Sequence, residues 1–389
     1  MTLINEIARH LPEYTAWRRD FHAHPETAFE ETRTSALVAE RLEAMGIEVH
    51  RGIGGTGLVG VIRGARGGNS PRTVGLRADM DALPMQEANG FSHASTNPGR
   101  MHACGHDGHT TMLLAAARHL AENRDFEGSV HLFFQPAEEV GGGGPAMLKD
   151  GALARFPCDA IYALHNKPGL PVGQFALRAG PMLAGVTFWD IHVQGKGGHA
   201  ARPEVTHDPV VAGAALVSAL QSVVARNVSP HARAVLSVTG METGRAYNVI
   251  PDQVRLFGTV RTFDVAVTEL VRERMERLAE SVASGFGCRA ALDFRVLTPP
   301  LVNSAEHAVR FGDAVAELAG ESALDRAQEA SMGGEDFAYF LQEVPGAFLN
   351  VGNGGGADLH HPKYDFNDEA IPHGAAALVA VALRELAAG

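Results

Sequence analysis

The stretch Met101–His109, which reads Met-His-Ala-Cys-Gly-His-Asp-Gly-His, constrains the fold of this chain more than any other feature. It places three histidines, a cysteine and an aspartate within nine residues and continues directly into an apolar helical pattern, Thr110 to Leu120. Thiolate and imidazole groups so close together are typical ligands of zinc and of the neighbouring transition metals. The sequence therefore predicts a loop that presents metal ligands at the beginning of a helix.

A pair of adjacent carboxylates, Glu138 and Glu139, follows an apolar β-like run, Val130 to Phe134. In a metal hydrolase one such carboxylate binds the metal, and a second one beside it acts as general base. A solvated surface pair is the alternative interpretation, but the position directly after an apolar strand disfavours it. We therefore expect the pair to share a site with the histidine-rich loop.

Two further strand-like runs end in residues that can bind a metal or orient a ligand. Thr73 to Ala78 ends in Asp79-Met-Asp81, and Ala160 to Leu164 ends in His165. For the two aspartates, an Asx turn before the following proline is the alternative. Strands that end in potential ligands and alternate with helices predict an α/β fold with a mostly parallel sheet, whose site lies at the C-terminal ends of the strands.

At 389 residues the chain is too long for a single hydrophobic core, so about two domains are expected. Between Val186 and Pro299 the order strand, helix, strand, strand, helix, strand indicates a ferredoxin-like βαββαβ unit. The α/β pattern returns after Pro300. We therefore predict a discontinuous metal-binding domain, residues 1–184 and 300–389, with an inserted domain at residues 185–299.

Charge and cysteine content exclude several classes of protein. A net charge of −12 and the lack of any Lys/Arg run argue against nucleic acid and anionic membranes as partners. Three widely spaced cysteines form no disulfide framework and favour a reducing compartment. Because no apolar run approaches the roughly 20 residues of a transmembrane helix, we expect a cytoplasmic protein without a membrane partner.

Two other classes of function compete with a metal hydrolase. Gly55-Thr-Gly-Leu-Val-Gly60 matches the dinucleotide-binding pattern of an oxidoreductase, but that pattern should open a helix. Here the glycines run into Leu58–Ile62, which reads as a strand, and the glutamate pair is left unexplained. A non-catalytic metal-binding protein is the other alternative, and it would make Glu138 dispensable.

Cys104 and His106 alone are a weak metal signal, because a core cysteine and a helix-capping histidine would look the same. Joined to Glu139, His165 and His360, they form a set of five potential ligands from four loops. Five ligands suffice for two metal ions that share a bridging ligand, and such a site activates water for hydrolysis. The sequence therefore favours a di-metal hydrolase.

Six motifs resemble, in order and over essentially the whole chain, the signatures of one family. They are Arg77-Ala-Asp-Met-Asp-Ala-Leu-Pro84, the Met101–His109 stretch, Gln135-Pro-Ala-Glu-Glu139, Gly195-Lys-Gly-Gly-His-Ala200, Gly334-Glu-Asp-Phe-Ala-Tyr-Phe340, and Leu359-His-His-Pro362 with Asp365-Phe-Asn-Asp368. The family is the metal-dependent amidohydrolases that include hippurate hydrolase, N-acyl-amino-acid aminoacylases and auxin-conjugate hydrolases, which are relatives of the di-zinc carboxypeptidases. The resemblance implies hydrolysis of the amide bond of N-acyl-L-amino acids, hippurate-like or N-acetylated, to a carboxylate and a free amino acid.

The resemblance also implies roles for the residues of the site. Two divalent ions, zinc or manganese with cobalt or nickel as alternatives, would be held by Cys104, His106, Glu139, His165 and His360, with Cys104 as the bridge. Glu138 would be the general base, and Asp81 would orient a ligand. His360 is chosen over His361 because the family motif is Leu-His-x-Pro.

For the inserted domain, the resemblance implies contacts to the substrate and to a second subunit. His199 would reach the active site of the other subunit of a homodimer and help to hold the oxyanion. Asn248 and Arg261 would contact the substrate carboxylate, for which a guanidinium is suited because it can bind bidentately. Gly334 stands where many members of the family have serine.

Several other histidines have open or structural interpretations. His22-x-His24 before a proline is expected to pack a turn rather than to bind a metal. The helix and strand histidines are expected to be structural; these are His109, His119 and His131. The sequence does not decide between a functional and a structural role for His102 and Asp107.

Overall fold

The computed structural model describes residues 2–66 and 72–387, which divide into two compact units. The first unit comprises the chain up to Met182, Val302–Glu329 and the chain from Asp336 onward. The second comprises Leu183–Leu301 and Ala330–Glu335. The second unit therefore interrupts the first twice along the chain.

The helices and strands are numbered along the chain. The helices are α1 (Leu3–Ala8), α2 (Leu11–Ala23), α3 (Thr32–Ala44), α4 (His106–Glu122), α5 (Gly143–Lys149), α6 (Ala152–Arg155), α7 (Pro209–Asn227), α8 (Val265–Gly285), α9 (Ala305–Ala319), α10 (Ala338–Glu343) and α11 (Ile371–Ala387). The strands are β1 (Glu48–Arg51), β2 (Leu58–Arg63), β3 (Thr73–Asp79), β4 (Ser129–Gln135), β5 (Ala160–Pro168), β6 (Phe175–Ala176), β7 (Gly180–Leu183), β8 (Gly185–Gln194), β9 (Gly198–His199), β10 (Ala234–Glu242), β11 (Val249–Ile250), β12 (Gln253–Thr262), β13 (Arg289–Thr298), β14 (Leu301–Asn303), β15 (Leu324–Asp325) and β16 (Gly346–Gly354).

The first unit is built on an eight-stranded sheet with the order β1-β2-β4-β3-β5-β16-β6-β15. Its central strands β4, β3, β5 and β16 are all parallel to their neighbours within that group. They are almost continuously apolar and buried, as expected for parallel strands that are covered on both faces. The predicted α/β fold with a mostly parallel sheet is thereby confirmed.

The central sheet brings the ends of its strands to one edge. β3 ends at Asp79, β4 ends at Gln135, and the parallel strand β5 runs through His165. Helix α4 packs against β3 and α11, and its first twelve residues, His106 to Ala117, are all buried. The metal-ligand motifs therefore lie on rigid, buried elements of the first unit.

The second unit is a four-stranded antiparallel sheet with the order β10-β12-β8-β13, on which α7 and α8 pack. Buried and more exposed residues alternate along strand β12, so that Val254, Leu256 and Val260 join the core beneath the two helices. The order of its elements along the chain is the βαββαβ order that the sequence predicts.

One detail of the helices differs from the sequence pattern. The apolar pattern from Ile4 to Phe21 predicts one helix, but the chain forms α1 and α2 with a break at Arg9 and His10. Pro12 lies in the first turn of α2, where its missing N–H has no cost, and it could not continue α1.

Among the described residues, two helical segments could cross a membrane by length and composition, Pro209–Asn227 and Asp368–Ala387. The expectation that no segment reaches this length is therefore not met. In the second segment 72% of the most apolar part is buried within the protein, and α7 packs on the four-stranded sheet. Burial in the core accounts for the apolar character of the second segment, whereas 33% of the first is buried.

Candidate metal centre

The histidine-rich loop turns sharply at Gly105, the residue that precedes α4. Gly105 has a φ of 96°, and a Cβ at this position would lie 2.3 Å from Oδ1 of Asn166. Only glycine fits, because it has no side chain and tolerates positive φ. The turn allows Cys104 before it and His106 after it to face the same space.

His106 is fully buried and is oriented by Asp81. Its Nδ1 lies 2.9 Å from the carbonyl oxygen and 3.2 Å from the carboxylate Oδ1 of Asp81, so Nδ1 carries the proton. The lone pair of Nε2 consequently faces the site, where Nε2 is 3.9 Å from both Glu138 Oε2 and Glu139 Oε1. Such a contact from a neighbouring carboxylate fixes the orientation of a ligand ring.

His165 is oriented by the backbone instead. Its Nδ1 lies 2.7 Å from the carbonyl oxygen of Asn166, which fixes the proton on Nδ1. Its Nε2 is then 3.3 Å from Sγ of Cys104. Burial and the nearby His109 hold the pKa of His165 well below its ordinary value, so the ring is the neutral form that binds metals.

His360 approaches from the C-terminal part of the first unit. It has a φ of 62°, and its N–H donates to the carbonyl of Ala103, which anchors it to the histidine-rich loop. Nε2 of His360 lies 3.5 Å from Oε2 of Glu139. His361 is used differently, because its Nδ1 accepts the N–H of Lys363 in a tight turn.

The five predicted ligands form two groups that share Cys104. One group is Cys104, His106 and His165, and the other is Cys104, Glu139 and His360; within each, the ligand atoms lie within 4.8 Å of one another. Two buried atoms of the cluster, Nε2 of His106 and Oε1 of Glu139, have no hydrogen-bond partner among the described residues. Buried polar atoms without partners are rare, and a cation at each group would satisfy them.

Electrostatics also fit cations at this position. Burial raises the pKa of the Cys104 thiol well above its usual range, and the neighbouring Glu139 adds to the effect. Burial together with Asp81 raises the pKa of Glu139 to about 7. Such groups bind a proton unless a positive charge replaces it, so divalent ions would stabilise the thiolate and the carboxylate. The residues present therefore fit two metal ions with Cys104 between them.

A second set of buried polar residues surrounds the ligands. His109, which the sequence predicts to be structural, lies with Nδ1 2.6 Å from Asp79 and Nε2 2.6 Å from Asn166. Arg77 donates to Asp79 and to Asp336, and all three side chains are buried. Asn166 in turn donates to the hydroxyl of Tyr364, which closes this network behind His165.

The two undecided residues of the loop lie in a buried charged cluster. Oδ2 of Asp107 is 2.8 Å from Nδ1 of His22 and 3.4 Å from Nη1 of Arg18, both of which are buried. His22 also contacts Glu87, so it is an ion-pair partner and not a metal ligand. Both ring nitrogens of His102 lack a hydrogen-bond partner among residues 2–66 and 72–387.

The remaining predicted site residues all belong to the second unit. His199 in β9 pairs with Val249 of β11, and the carbonyl of Asn248 accepts the N–H of Ala200, so His199 and Asn248 are neighbours. Arg261 lies on β12, half-buried, and donates to Thr259. The metal ligands belong to the first unit.

The glycine pattern at Gly55 to Gly60 does not have the context of a dinucleotide site. The N–H of Ile53 donates to the carbonyl of Gly57, which closes a turn, and strand β2 begins directly at Leu58. The interpretation as a glycine turn between strands is confirmed. A serine at Gly334 would be obstructed, because a Cβ there would lie 2.3 Å from Cγ2 of Val186.

Glu31 is a buried residue near the site that the sequence analysis does not identify. Its carboxylate contacts the backbone directly before Glu138, although more than a hundred residues separate them. The periodicity of α3 predicts a helix beginning near this residue, but a helix start carries no sign of a contact so distant in sequence.

Comparison with known proteins agrees with this geometry. The family model for Peptidase family M20/M25/M40 matches residues 75–384. Hippurate hydrolase of Campylobacter jejuni is 39% identical over 387 residues, covering 99% of this chain and 100% of that protein. N-acetyl-L-cysteine deacetylase of Bacillus subtilis is 41% identical over 355 residues, covering 91% of this chain and 83% of that protein.

A solved structure supports the same assignment. The YXEP protein of Bacillus subtilis, a dinuclear metal binding peptidase from the M20 family, has a TM-score of 0.86 and 34% identity to this chain. The similarity covers 97% of this chain and 99% of that one. Ligand groups, fold and sequence similarity thus agree, and the chain is a metal-dependent amidohydrolase that belongs to Peptidase family M20/M25/M40.

Proposed function

We propose that this protein hydrolyses the amide bond of N-acyl-L-amino acids and releases a carboxylate and a free amino acid. The observation that carries the proposal is Glu138, a carboxylate that is not one of the five predicted ligands but lies within 4.8 Å of the ligand atoms of His106 and Glu139. Its Oε2 lies 3.9 Å from Nε2 of His106, and the adjacent Glu139 is a member of the second group. A non-catalytic metal site would have no use for this extra carboxylate.

The residues of the chain divide the chemistry among them. Two divalent ions held by the five ligands would supply Lewis acidity and make water acidic enough to lose a proton at neutral pH. Glu138 accepts that proton and delivers it to the amine nitrogen as the amide bond breaks. Asp81 keeps His106 and the Glu139 backbone in place throughout.

His199 is suited to stabilise the oxyanion. Its Nδ1 accepts the N–H of Ala201 at 3.1 Å, so the neutral ring carries its proton on Nε2. An exposed Nε2–H is a donor that can hydrogen-bond to a developing negative charge, and such donors contribute about 3–4 kcal/mol to catalysis. We infer that His199 acts in this way in the site of a second copy of the chain.

Arg261 is suited to bind the carboxylate of the substrate. Among the described residues it forms no ion pair, and its contacts are the hydroxyl of Thr259 and the carbonyl of Val260. Burial lowers the pKa of its guanidinium, which a bound carboxylate would counteract. We propose that Asn248 forms a second contact to the carboxylate of the substrate.

Assembly, metal and compartment belong to the same proposal. We propose a homodimer formed through the second unit, which exposes apolar side chains such as Tyr247 and Val249. The Cys104 ligand favours zinc, and manganese, cobalt or nickel are the alternatives. The free thiols of Cys104, Cys158 and Cys288 favour a reducing cytoplasm.

The relatives suggest the range of substrates. Their names, hippurate hydrolase and N-acetyl-L-cysteine deacetylase, cover an aromatic and a small acyl group on an amino acid. The proposal is tested by measuring the free amino acid that is released from N-benzoyl, N-acetyl and longer N-acyl amino acids, with and without a chelator. We expect release that depends on added metal. No release from any of them by protein shown to contain two metal ions would overturn it.

A further inference from the structure

We propose that Glu31 is a positioning residue, which holds the turn that carries Glu138 and Glu139 in the conformation the site needs. The inference rests on the proposed function of Glu138 for its catalytic consequence and on the ligand role of Glu139 for its effect on metal binding. Nothing in the histidine-rich loop or among the five ligands involves Glu31 directly.

The Glu31 carboxylate is fully buried and receives three hydrogen bonds. Oε1 accepts the backbone N–H of Phe29 at 3.0 Å and that of Ala137 at 2.8 Å. Oε2 accepts the hydroxyl of Thr56 at 2.5 Å. A single carboxylate thus joins the start of α3, the glycine turn before β2 and the turn after β4.

The two backbone donors to Oε1 share an unusual conformation. Phe29 has a φ of 62° and Ala137 a φ of 52°. In the described ranges, His360 is the one other non-glycine residue with positive φ. Side chains disfavour this region, so a residue remains in it when other contacts compensate. Here one buried oxygen compensates at both positions.

The conformation of Ala137 sets the direction of the two carboxylates that follow it. The carbonyl of Ala137 accepts the N–H groups of Gly142 and Gly143, and the N–H of Gly141 donates to Glu138, which closes the turn. If Ala137 relaxed to negative φ, the chain direction after it would change and Glu138 and Glu139 would leave their positions. The contact from Glu31 opposes that change.

The rest of the turn is too tightly packed to compensate. At Gly143 a Cβ would lie 1.6 Å from the carbonyl oxygen of Pro136, and at Gly144 it would lie 2.8 Å from that of Asp336. Because the backbone is so closely packed at Gly143 and Gly144, these residues cannot shift to relieve the strain at Ala137. The positive φ of Ala137 therefore depends on the hydrogen bond to Glu31.

The test compares Glu31→Ala with Glu31→Gln, since an amide oxygen can still accept from both N–H groups. We expect Glu31→Ala to lose at least tenfold in kcat with little change in KM, and to weaken binding of one metal ion by about 10- to 100-fold. Glu31→Gln should stay within about tenfold of the unaltered protein in both measurements.

Ala137→Gly in the Glu31→Ala background is the decisive variant. Glycine adopts positive φ without support, so it should restore kcat and metal affinity several-fold. Because Ala137 has a φ of 52°, glycine also relieves strain in the unaltered protein, so Ala137→Gly alone is measured beside the double variant. Its gain in kcat and metal affinity should be smaller in the unaltered protein than in the Glu31→Ala background. Glu385→Gln is the matched control: Glu385 is buried and bound by Tyr162 and Arg310, and its loss should lower the melting temperature without changing metal affinity.

The outcomes separate this inference from the proposed function. If the unaltered protein hydrolyses N-acyl amino acids and Glu31→Ala does so equally well with two metal ions bound, the role of Glu31 is refuted and the function stands. If the unaltered protein hydrolyses none of them, metal titration of the same variants still decides whether Glu31 holds the turn. A double variant no better than Glu31→Ala would also overturn the inference.

Discussion

The backbone N–H of Glu139 donates a hydrogen bond of 3.1 Å to Oδ2 of Asp81. The other oxygen of the same carboxylate lies 3.2 Å from Nδ1 of His106. One buried aspartate, two residues after the end of β3, therefore orients two ligands, one that begins α4 and one that follows β4. The two ligands are thus placed relative to each other by a residue that belongs to neither of their elements.

Asp81→Ala is expected to weaken metal binding by about 10- to 100-fold, because both ligands lose the group that orients them. The measurement is metal content after dialysis against a graded series of chelator concentrations. Asp125→Asn is the control, since Asp125 forms an ion pair with Arg66 on the surface. Equal retention of metal by Asp81→Ala and by the control would contradict the orienting role.

Glu138→Gln and Glu139→Gln should have different effects although the residues are adjacent. Glu138→Gln is expected to keep both metal ions and to lose about 10²- to 10⁴-fold in kcat, because the proton acceptor is gone. Glu139→Gln is expected to lose metal as well as activity. Metal analysis beside amino-acid release distinguishes them, and a Glu138→Gln protein with full activity would refute its role as general base.

Arg261→Ala should act on the substrate carboxylate alone. We expect kcat/KM for an N-acyl amino acid to fall by about 10- to 100-fold, while the corresponding N-acyl amine without a carboxylate is cleaved as before. Arg261→Lys should recover part of the loss, because lysine keeps the charge but cannot bind bidentately. An equal loss for both substrates would place Arg261 outside the carboxylate site.

Stability should depend on pH through His22. Burial alone would lower the pKa of this ring, but its contacts with Asp107 and Glu87 raise it from 6.5 to about 9. A raised pKa stabilises the folded state fully below about pH 6.5, and this contribution is lost as the pH rises through 9. It corresponds to roughly 3 kcal/mol.

Urea unfolding at pH 6, 7.5 and 9 measures this contribution. The unaltered protein should lose stability progressively over that range, whereas His22→Gln should be less stable at pH 6 and show a flatter dependence. His24→Gln is the control, because His24 directly follows α2 and is not part of the buried cluster of His22, Asp107 and Glu87. A slope in His22→Gln as steep as that of the unaltered protein would assign the pH dependence to other groups.

Local sequence patterns determine much of this fold. Apolar runs that lead into Asp79, Glu138 and His165 predict parallel strands with a site at one edge of the sheet. Both the apolar run and the polar residue that follows it can be read from a short stretch of sequence. The strands of the second unit can be predicted in the same way, because buried and more exposed residues alternate along β8 and β12. Where the pattern fails, as in the break between α1 and α2, the cause is Pro12.

Long-range contacts in the site are not available from local patterns. Spacing and resemblance group the five ligands, but nothing in the sequence around Glu31 or His109 indicates which buried partner each one meets. Their contacts to Ala137 and to Asp79 exist because the sheet brings distant segments together. Such residues look like ordinary helix-end and helix-interior residues until the fold is known.

The strand pairing β5–β16 has a consequence for synthesis of the protein. These neighbours in the central sheet are separated along the chain by the whole of Leu183–Leu301. During translation the intervening unit can fold first, which shortens the effective loop that the later pairing must close. His360 emerges later still, so the second ligand group, Cys104, Glu139 and His360, is completed when nearly the whole chain has been synthesised.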